Sequence, residues 1–282
     1  MSARSLQQLV KNALGHFEKK CGGLRYAKNE LLVVNFHSTP KKFIPHFKEQ
    51  VAFLKRQFHI IAPSALIDYY NGSLRPEKCS LLFTFDDGLK NNLYAADVLN
   101  QNGVKALFFV VPGFIDTSVN EQKRFYLQNI RPHIDPAIDG EPEDLTAISW
   151  QELKVLRAAG HEIGAHTLTH TLLARNSSLQ NSENEILVCK TRIETELNCK
   201  VDAFCSINNT LESTGKKEKE LIEKNYAFHF TTLPGYNAPD PNRHFIKRRN
   251  VECFWPKGAF YYALGRSDLR RWMHKIETYQ NL

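Results

Sequence analysis

Two adjacent acids and two histidines four residues apart are the side chains of this chain best suited to chemistry. In Asp86-Asp87-Gly88 the neighbouring carboxylates repel, so ionising both is costly unless a cation or hydrogen bonds intervene. Gly88 permits a sharp backbone turn where a side chain would clash. The same tripeptide also fits an Asp-Gly turn with solvated acids. His166 and His170 close the run Gly160-His161-Glu162-Ile163-Gly164-Ala165-His166-Thr167-Leu168-Thr169-His170. On a helical turn, residues i and i+4 share one face and reach a single metal ion. Imidazole nitrogens suit zinc and neighbouring divalent ions, and a carboxylate often completes the set. A structural histidine pair has the same spacing. His161 lies outside that spacing and reads as a packing or supporting residue.

The elements that must position these residues are short apolar runs alternating with helical periods. Leu31–Phe36 reads as a buried strand ending at His37, and 81–85 as a second strand closed by Asp86-Asp87-Gly88. A third strand over 106–111 ends at Pro112-Gly113. Helices are expected over 5–20, 43–58, 94–100, from Ser149 to about Gly160, over 185–197, over 218–224, and from a Ser267 cap to Tyr279. Ser149 with Glu152 forms a capping-box pattern. Leu6, Leu9, Val10, Ala13, Leu14 and Phe17 give the first helix an apolar stripe, for which packing on the domain is the default expectation and a partner the alternative. Residues 228–232 read as a strand. Residues 114–147 are polar, without a strong period, and read as an inserted loop long enough to serve as a lid or specificity wall. Such alternation implies mostly parallel strands covered by helices, with chemistry collected at the strands' carboxyl ends. The domain plan is an N-terminal helical extension over 1–30 and one α/β domain over 31–282.

The 282 residues suffice for a large core. The net charge of +7 is uneven: residues 1–57 carry 11 Lys/Arg against 3 Asp/Glu, and residues 241–282 carry 9 against 3. Basic ends suit anionic substrates or a membrane surface, although solvated surface Lys and Arg are the commoner explanation. No aromatic-and-glycine motif accompanies the charge, which leaves no case for nucleic acid. No apolar run approaches the roughly 20 residues of a membrane span, so only peripheral membrane contact is expected. The start Met1-Ser2-Ala3-Arg4-Ser5-Leu6 does not read as a signal peptide. The six cysteines include no CxxC pair, which suits reduced thiols and a cytoplasmic location.

Taken together, these motifs resemble those of the polysaccharide deacetylases, carbohydrate esterase family 4. Thr84-Phe85-Asp86-Asp87-Gly88 matches the family's first motif and His166-Thr167-x-x-His170 its second. Trp150-x-Glu152-Leu153, Gly160-His161-Glu162-Ile163-Gly164 and Phe230-Thr231-Thr232-x-Pro234-Gly235 are similar as well, so the resemblance spans roughly residues 31–251. It implies a distorted (β/α) barrel of seven strands, the NodB-like deacetylase fold. It also implies a divalent metal ion, zinc first and cobalt, nickel or manganese as alternatives, held by Asp87, His166 and His170, with Asp86 as general base. The family's C-terminal Leu-x-His-Asp acid motif is lacking. Val34-Asn35-Phe36-His37 resembles the strand that carries the acid in circularly permuted members, which implies His37 as general acid, with His274 a poor substitute. A histidine that merely ends a strand is the other reading of His37.

One departure stands out. The family's aromatic-Pro-aromatic-Gly turn should follow Ala203-Phe204, where the chain instead reads Cys205-Ser206-Ile207-Asn208-Asn209-Thr210. Asn208 or Asn209 tolerates the left-handed turn, but the aromatic wall has no replacement. Arg248 resembles an arginine near the end of related sequences, and a pairing with Asp86 is one reading of it; a surface position is as consistent. The implied reaction is removal of an N-acetyl group from an amino-sugar unit of a glycan or glycan precursor, including a diphosphate-linked one, in surface polysaccharide or lipopolysaccharide synthesis. A sugar deformylase or O-esterase, and a glycan-binding or scaffold protein retaining the fold, are the alternatives.

Overall fold

A computed structural model describes residues 3–20, 26–173, 179–207, 214–239 and 242–265. The elements in chain order are α1 (Ala3–Lys20), β1 (Leu31–Phe36), α2 (Ile44–Gln57), β2 (His59–Ile60), α3 (Leu66–Tyr70), β3 (Ser80–Phe85), α4 (Asn92–Gln101) and β4 (Ala106–Val110). There follow α5 (Pro112–Asp116), α6 (Val119–Phe125), α7 (Trp150–Ala158), β5 (Glu162–Ala165), α8 (Leu179–Glu183) and α9 (Cys189–Leu197). The last are β6 (Ala203–Cys205), α10 (Lys216–Asn225), β7 (Phe228–Phe230), β8 (Arg249–Asn250) and α11 (Lys257–Leu264). The helix expected from Ser267, with His274, lies outside the described residues, as do Asn208, Asn209 and Thr210. Contacts divide the chain into Lys28–Phe254 and a second unit of Met1–Ala27 with Trp255–Leu282. Among the described residues no helix is long and apolar enough to cross a membrane.

Within Lys28–Phe254 the strands form one parallel sheet in the order β7-β6-β5-β4-β3-β1-β8, with β2 added beside β3. The sheet curls until its two ends meet. Phe230 of β7 bridges Ile246, three residues before β8, and Thr231 N–H donates to the Ile246 carbonyl at 2.8 Å. This is the seven-stranded distorted barrel expected from the motifs.

Strands β1, β3 and β4 are buried along their whole length, which is why they read as unbroken apolar runs rather than alternating ones. Their two faces nonetheless differ. Leu31, Val33, Leu82, Leu107, Phe109, Ala203, Cys205, Phe228 and Phe230 form one inner cluster. The alternate residues turn outward to the helices; Phe36, for example, meets Phe47 of α2 edge-on at 5.2 Å. Following the inner parity upward, Val33 leads to Asn35 and His37, and Leu82 leads to Thr84 and Asp86. The inner column therefore turns polar at the carboxyl ends of the strands. The register pairs Phe36 with Phe85, so His37 and Asp86 leave adjacent strands side by side.

Two expectations change. The stretch 114–147 is largely helical: α5 and α6 are followed by a wide turn over Tyr126–Ile130 and a tight one over Pro142–Leu145. Phe114, Tyr126, Leu145 and Ala147 pack with Leu89 and Val111 in a small core of their own. Its polar composition concealed this because only a few large side chains carry the packing. The histidine pair, for its part, is not on a helix. It lies in an irregular loop after β5, a four-residue strand whose Gly164 and flanking histidine hid its period.

Candidate metal and catalytic site

The loops after β3 and β5 meet above the polar end of the barrel. Asp87 has φ +73°, Thr167 +60° and His170 +62°. For side-chain-bearing residues each costs roughly 1–2 kcal/mol, and three of the four such residues described in the chain fall in these two loops. Gly88 continues the turn at φ +66°, where an added Cβ would stand 3.2 Å from the Val110 side chain. The strain aims both loops at one point. Glu185 braces the second: its carboxylate accepts from Thr169 N–H at 2.9 Å and from the Thr169 hydroxyl at 2.6 Å.

Asp87, His166 and His170 offer ligand atoms within 4.8 Å of one another. Asp87 Oδ1 lies 3.5 Å from His166 Nε2 and 3.2 Å from His170 Nε2. Each histidine is oriented from behind. His166 Nδ1 meets the Cys205 carbonyl at 2.9 Å and His170 Nδ1 the Asn129 carbonyl at 2.6 Å. A carbonyl can only accept, so both Nδ1 atoms carry their protons and both Nε2 atoms face the carboxylate, where they donate a proton to it or, once that proton is lost, offer their lone pairs to a cation. Three electron-rich atoms pointed together need a positive species among them, and backbone-anchored imidazoles with a carboxylate are the donors a divalent cation takes. The donor set therefore fits the metal the motifs imply. Burial works against charge here, yet the two histidines' hydrogen bonds hold Asp87 well below the usual carboxylate range. His170 is likewise raised against burial by Asp87. Asp86, His166 and Cys205 form a second close group. The Cys205 thiol, however, already receives Arg248 Nη2 at 2.8 Å, and burial pushes its ionisation far up.

Asp86 is buried beside this centre and does not share its histidine contacts closely; His166 Nε2 is 3.9 Å away. Its partner is Arg248, which grips both oxygens, Nη1 to Oδ1 at 2.7 Å and Nη2 to Oδ2 at 2.8 Å. The guanidinium is itself buried and fully engaged, donating also to the Thr231 carbonyl, Asn35 and Thr84. Burial pushes Asp86 up, but Arg248 and then His166 override it and keep the carboxyl below its ordinary value. The pairing reading of Arg248 is the one the structure adopts; it is not a surface residue.

His37 stands on the other side of Asp86, with Nε2 4.0 Å from Oδ2. Its Nδ1 meets Glu252 Oε1 at 2.8 Å. Burial lowers the imidazole's pKa, but Glu252 outweighs it and His37 is pushed up to about 10. His37 is thus part of the site rather than a bare strand end. His161 sits at the opposite end of β5, accepting Ala106 N–H at 3.1 Å and meeting Phe108 edge-on, a packing residue as expected. Glu252 and Glu185 were not singled out from the sequence. Glu252 lies 215 residues from His37, and no short-range pattern links them; only its position two residues beyond β8 marks it.

Residues 74–210 match the sequence profile described as Polysaccharide deacetylase. No curated protein sequence matches the chain. Solved structures of similar fold include the Streptococcus pyogenes deacetylase PplD in complex with acetate, at 14% identity and TM-score 0.62, covering 80% of this chain and 93% of that one. IcaB from Ammonifex degensii is similar at 19% identity and TM-score 0.62, covering 83% and 97%. The BpsB deacetylase domain from Bordetella bronchiseptica gives 16% identity and TM-score 0.61, covering 81% and 98%.

Proposed function

Because the chain is a member of the polysaccharide deacetylase family, we propose that it removes the N-acetyl group from an amino-sugar unit of a glycan or glycan precursor. The observation that carries this reading is the placement of Asp86 between the Asp87–His166–His170 group and a histidine held by its own carboxylate. A divalent cation in the Asp87–His166–His170 group, zinc being our choice from the donor types, supplies Lewis-acid polarisation of the acetamide carbonyl and acidification of water.

The chain's own groups do the proton transfers. Asp86, kept ionised by Arg248, accepts the proton of the water that attacks the acetamide carbon. His37, protonated at neutral pH through Glu252, points Nε2 into the site and delivers a proton to the nitrogen as the C–N bond breaks. The products are acetate and a free amine. Thr84 and Asn35 hold Arg248 in place, so the base keeps one orientation through the cycle. Pro40, Lys41, Lys42, Tyr94, Glu141, Glu143 and Asp144 line a hollow of about 400 Å³, whose aromatic face and polar neighbours suit a further sugar. A formyl group or an O-acyl ester would use the same proton donors, and product analysis separates them.

The test joins metal content to acetate release. The purified protein should hold about one divalent ion per chain, and His166→Ala should lose it. Asp86→Asn should keep the ion while acetate release falls by roughly two to four orders of magnitude. Full metal retention in both His166→Ala and His170→Ala would overturn the reading.

A further inference from the structure

The two residues that follow His37 are tied down by one side chain from another loop. Asn91 is wholly buried, and its amide is engaged at both ends with segments far away in sequence. Its Nδ2 donates to the Ser38 hydroxyl at 2.7 Å and to Asp144 Oδ1 at 2.9 Å, and its Oδ1 accepts Thr39 N–H at 3.1 Å. The amide can lie only this way round, because a backbone N–H offers nothing but a proton and a carboxylate nothing but lone pairs. The main chain repeats the join. The Thr39 hydroxyl lies 3.1 Å from the Asn91 carbonyl and 2.9 Å from Asn92 Oδ1, and Asn91 N–H donates to the Glu143 carbonyl at 3.3 Å. Ser38, Thr39, Asn92 and Asp144 are buried as well. One residue thus fastens the loop after β1, the loop after β3 and the end of the stretch 114–147.

What this join holds in place is His37. Glu252 fixes the ring at Nδ1, but a ring fixed at one atom still swings with its Cα. That Cα is set on one side by Phe36, in register with Phe85, and on the other by the Ser38 peptide. The imidazole is only partly covered, so packing alone does not hold it. A slip of Ser38 or Thr39 would leave desolvated donors and the Asp144 carboxylate without partners, which makes the join stiff. Stiffness matters here, since a reacting group displaced by about 1 Å can lose about two orders of magnitude in rate. We propose that Asn91 is a positioning residue for the proton donor: by fixing Ser38 and Thr39 it holds His37 Nε2 beside Asp86, where the leaving nitrogen takes its proton. The inference rests on the deacetylation proposed above, with His37 as the donor.

The experiment compares two leaving groups. Acetate release from an N-acetylglucosamine oligomer needs the proton from His37, whereas nitrophenyl acetate does not, because nitrophenolate leaves unprotonated. Asn91→Asp removes both N–H donors and sets a second carboxylate against Asp144. It should lower kcat on the oligomer about 10- to 100-fold, with nitrophenyl acetate turnover and metal content within about twofold of wild type. The exchange Asn91→Asp/Asp144→Asn rebuilds the join with its polarity reversed. The carboxylate at position 91 then accepts from Thr39 N–H, the Ser38 hydroxyl and the amide at position 144, whose oxygen takes over Glu141 N–H from Asp144. That exchange should bring the oligomer kcat back to within about threefold of wild type. Ser38→Ala removes one acceptor only; it should lose about threefold on the oligomer alone, and it gives the same reading if Asn91→Asp does not fold. Equal slowing of the two substrates, loss of metal in Asn91→Asp, or an exchange no faster than Asn91→Asp overturns the proposal. A wild-type chain that cleaves nitrophenyl acetate but releases no acetate from any acetamide refutes the deacetylase reading itself, and this inference with it.

Discussion

Replacing Arg248 with methionine tests the deepest feature of the site. The side chain is about 1% exposed and donates to both Asp86 oxygens at 2.7 and 2.8 Å, to Thr231, Asn35 and Thr84, and to the Cys205 sulfur. Methionine keeps much of the volume beside Phe109, so the loss is electrostatic rather than a cavity. Removing one partner of a buried ion pair leaves an uncompensated carboxylate and costs about 3–5 kcal/mol. For a domain of this size that lowers Tm by roughly 6–20 °C. The sign with pH follows from Asp86. Its folded pKa is depressed, so the pair's stabilisation is present above the unfolded value of about 4 and is lost as pH falls through the folded value. The variant's deficit in thermal melts should be wide near pH 7 and should narrow as pH falls below about 4. Asp86→Asn/Arg248→Met should recover at least about 1 kcal/mol relative to Arg248→Met, because the stranded charge is gone. A deficit below about 1 kcal/mol at pH 7, or a double variant no more stable than Arg248→Met, would refute the claim that the pair is desolvated and mutually dependent.

Two further outcomes follow from the carboxylates that hold the histidines. In Glu252→Gln the main influence raising His37 to about 10 is removed, so the alkaline limb of the rate profile should move down toward the ordinary imidazole value of about 6.5. Near pH 8 that leaves about one-thirtieth of His37 protonated, so acetate release should drop about 30-fold there and little near pH 5.5; a loss constant across pH would show that Glu252 does not tune His37. His37's raised folded value also means its pairing stabilises the fold below about pH 6.5 and ceases to as pH rises through about 10. Glu185→Ala frees Thr169 and slackens the loop carrying His170, and metal affinity should fall about 10- to 100-fold in competition dialysis. Unchanged affinity would mean that the strained backbone holds the loop unaided.

What the sequence determined by itself is local. Unbroken apolar runs marked β1, β3 and β4, because strands buried on both faces need no alternation. Thr84-Phe85-Asp86-Asp87-Gly88 and His166–His170 exposed the site because a tight turn and its chemistry occupy contiguous residues. Ser149 and Glu152 fixed the start of α7 through a capping box that the structure contains. Short-range signals could not reach further. The strands β5, β6 and β8 are four, three and two residues long, too short to show a period; their neighbours define them. The helices inside 114–147 are held by a handful of aromatic contacts under a polar surface. Glu252 and Arg248 enter the site because the curled sheet returns the segment around β8 to β1, and burial then forces each charge to find a partner.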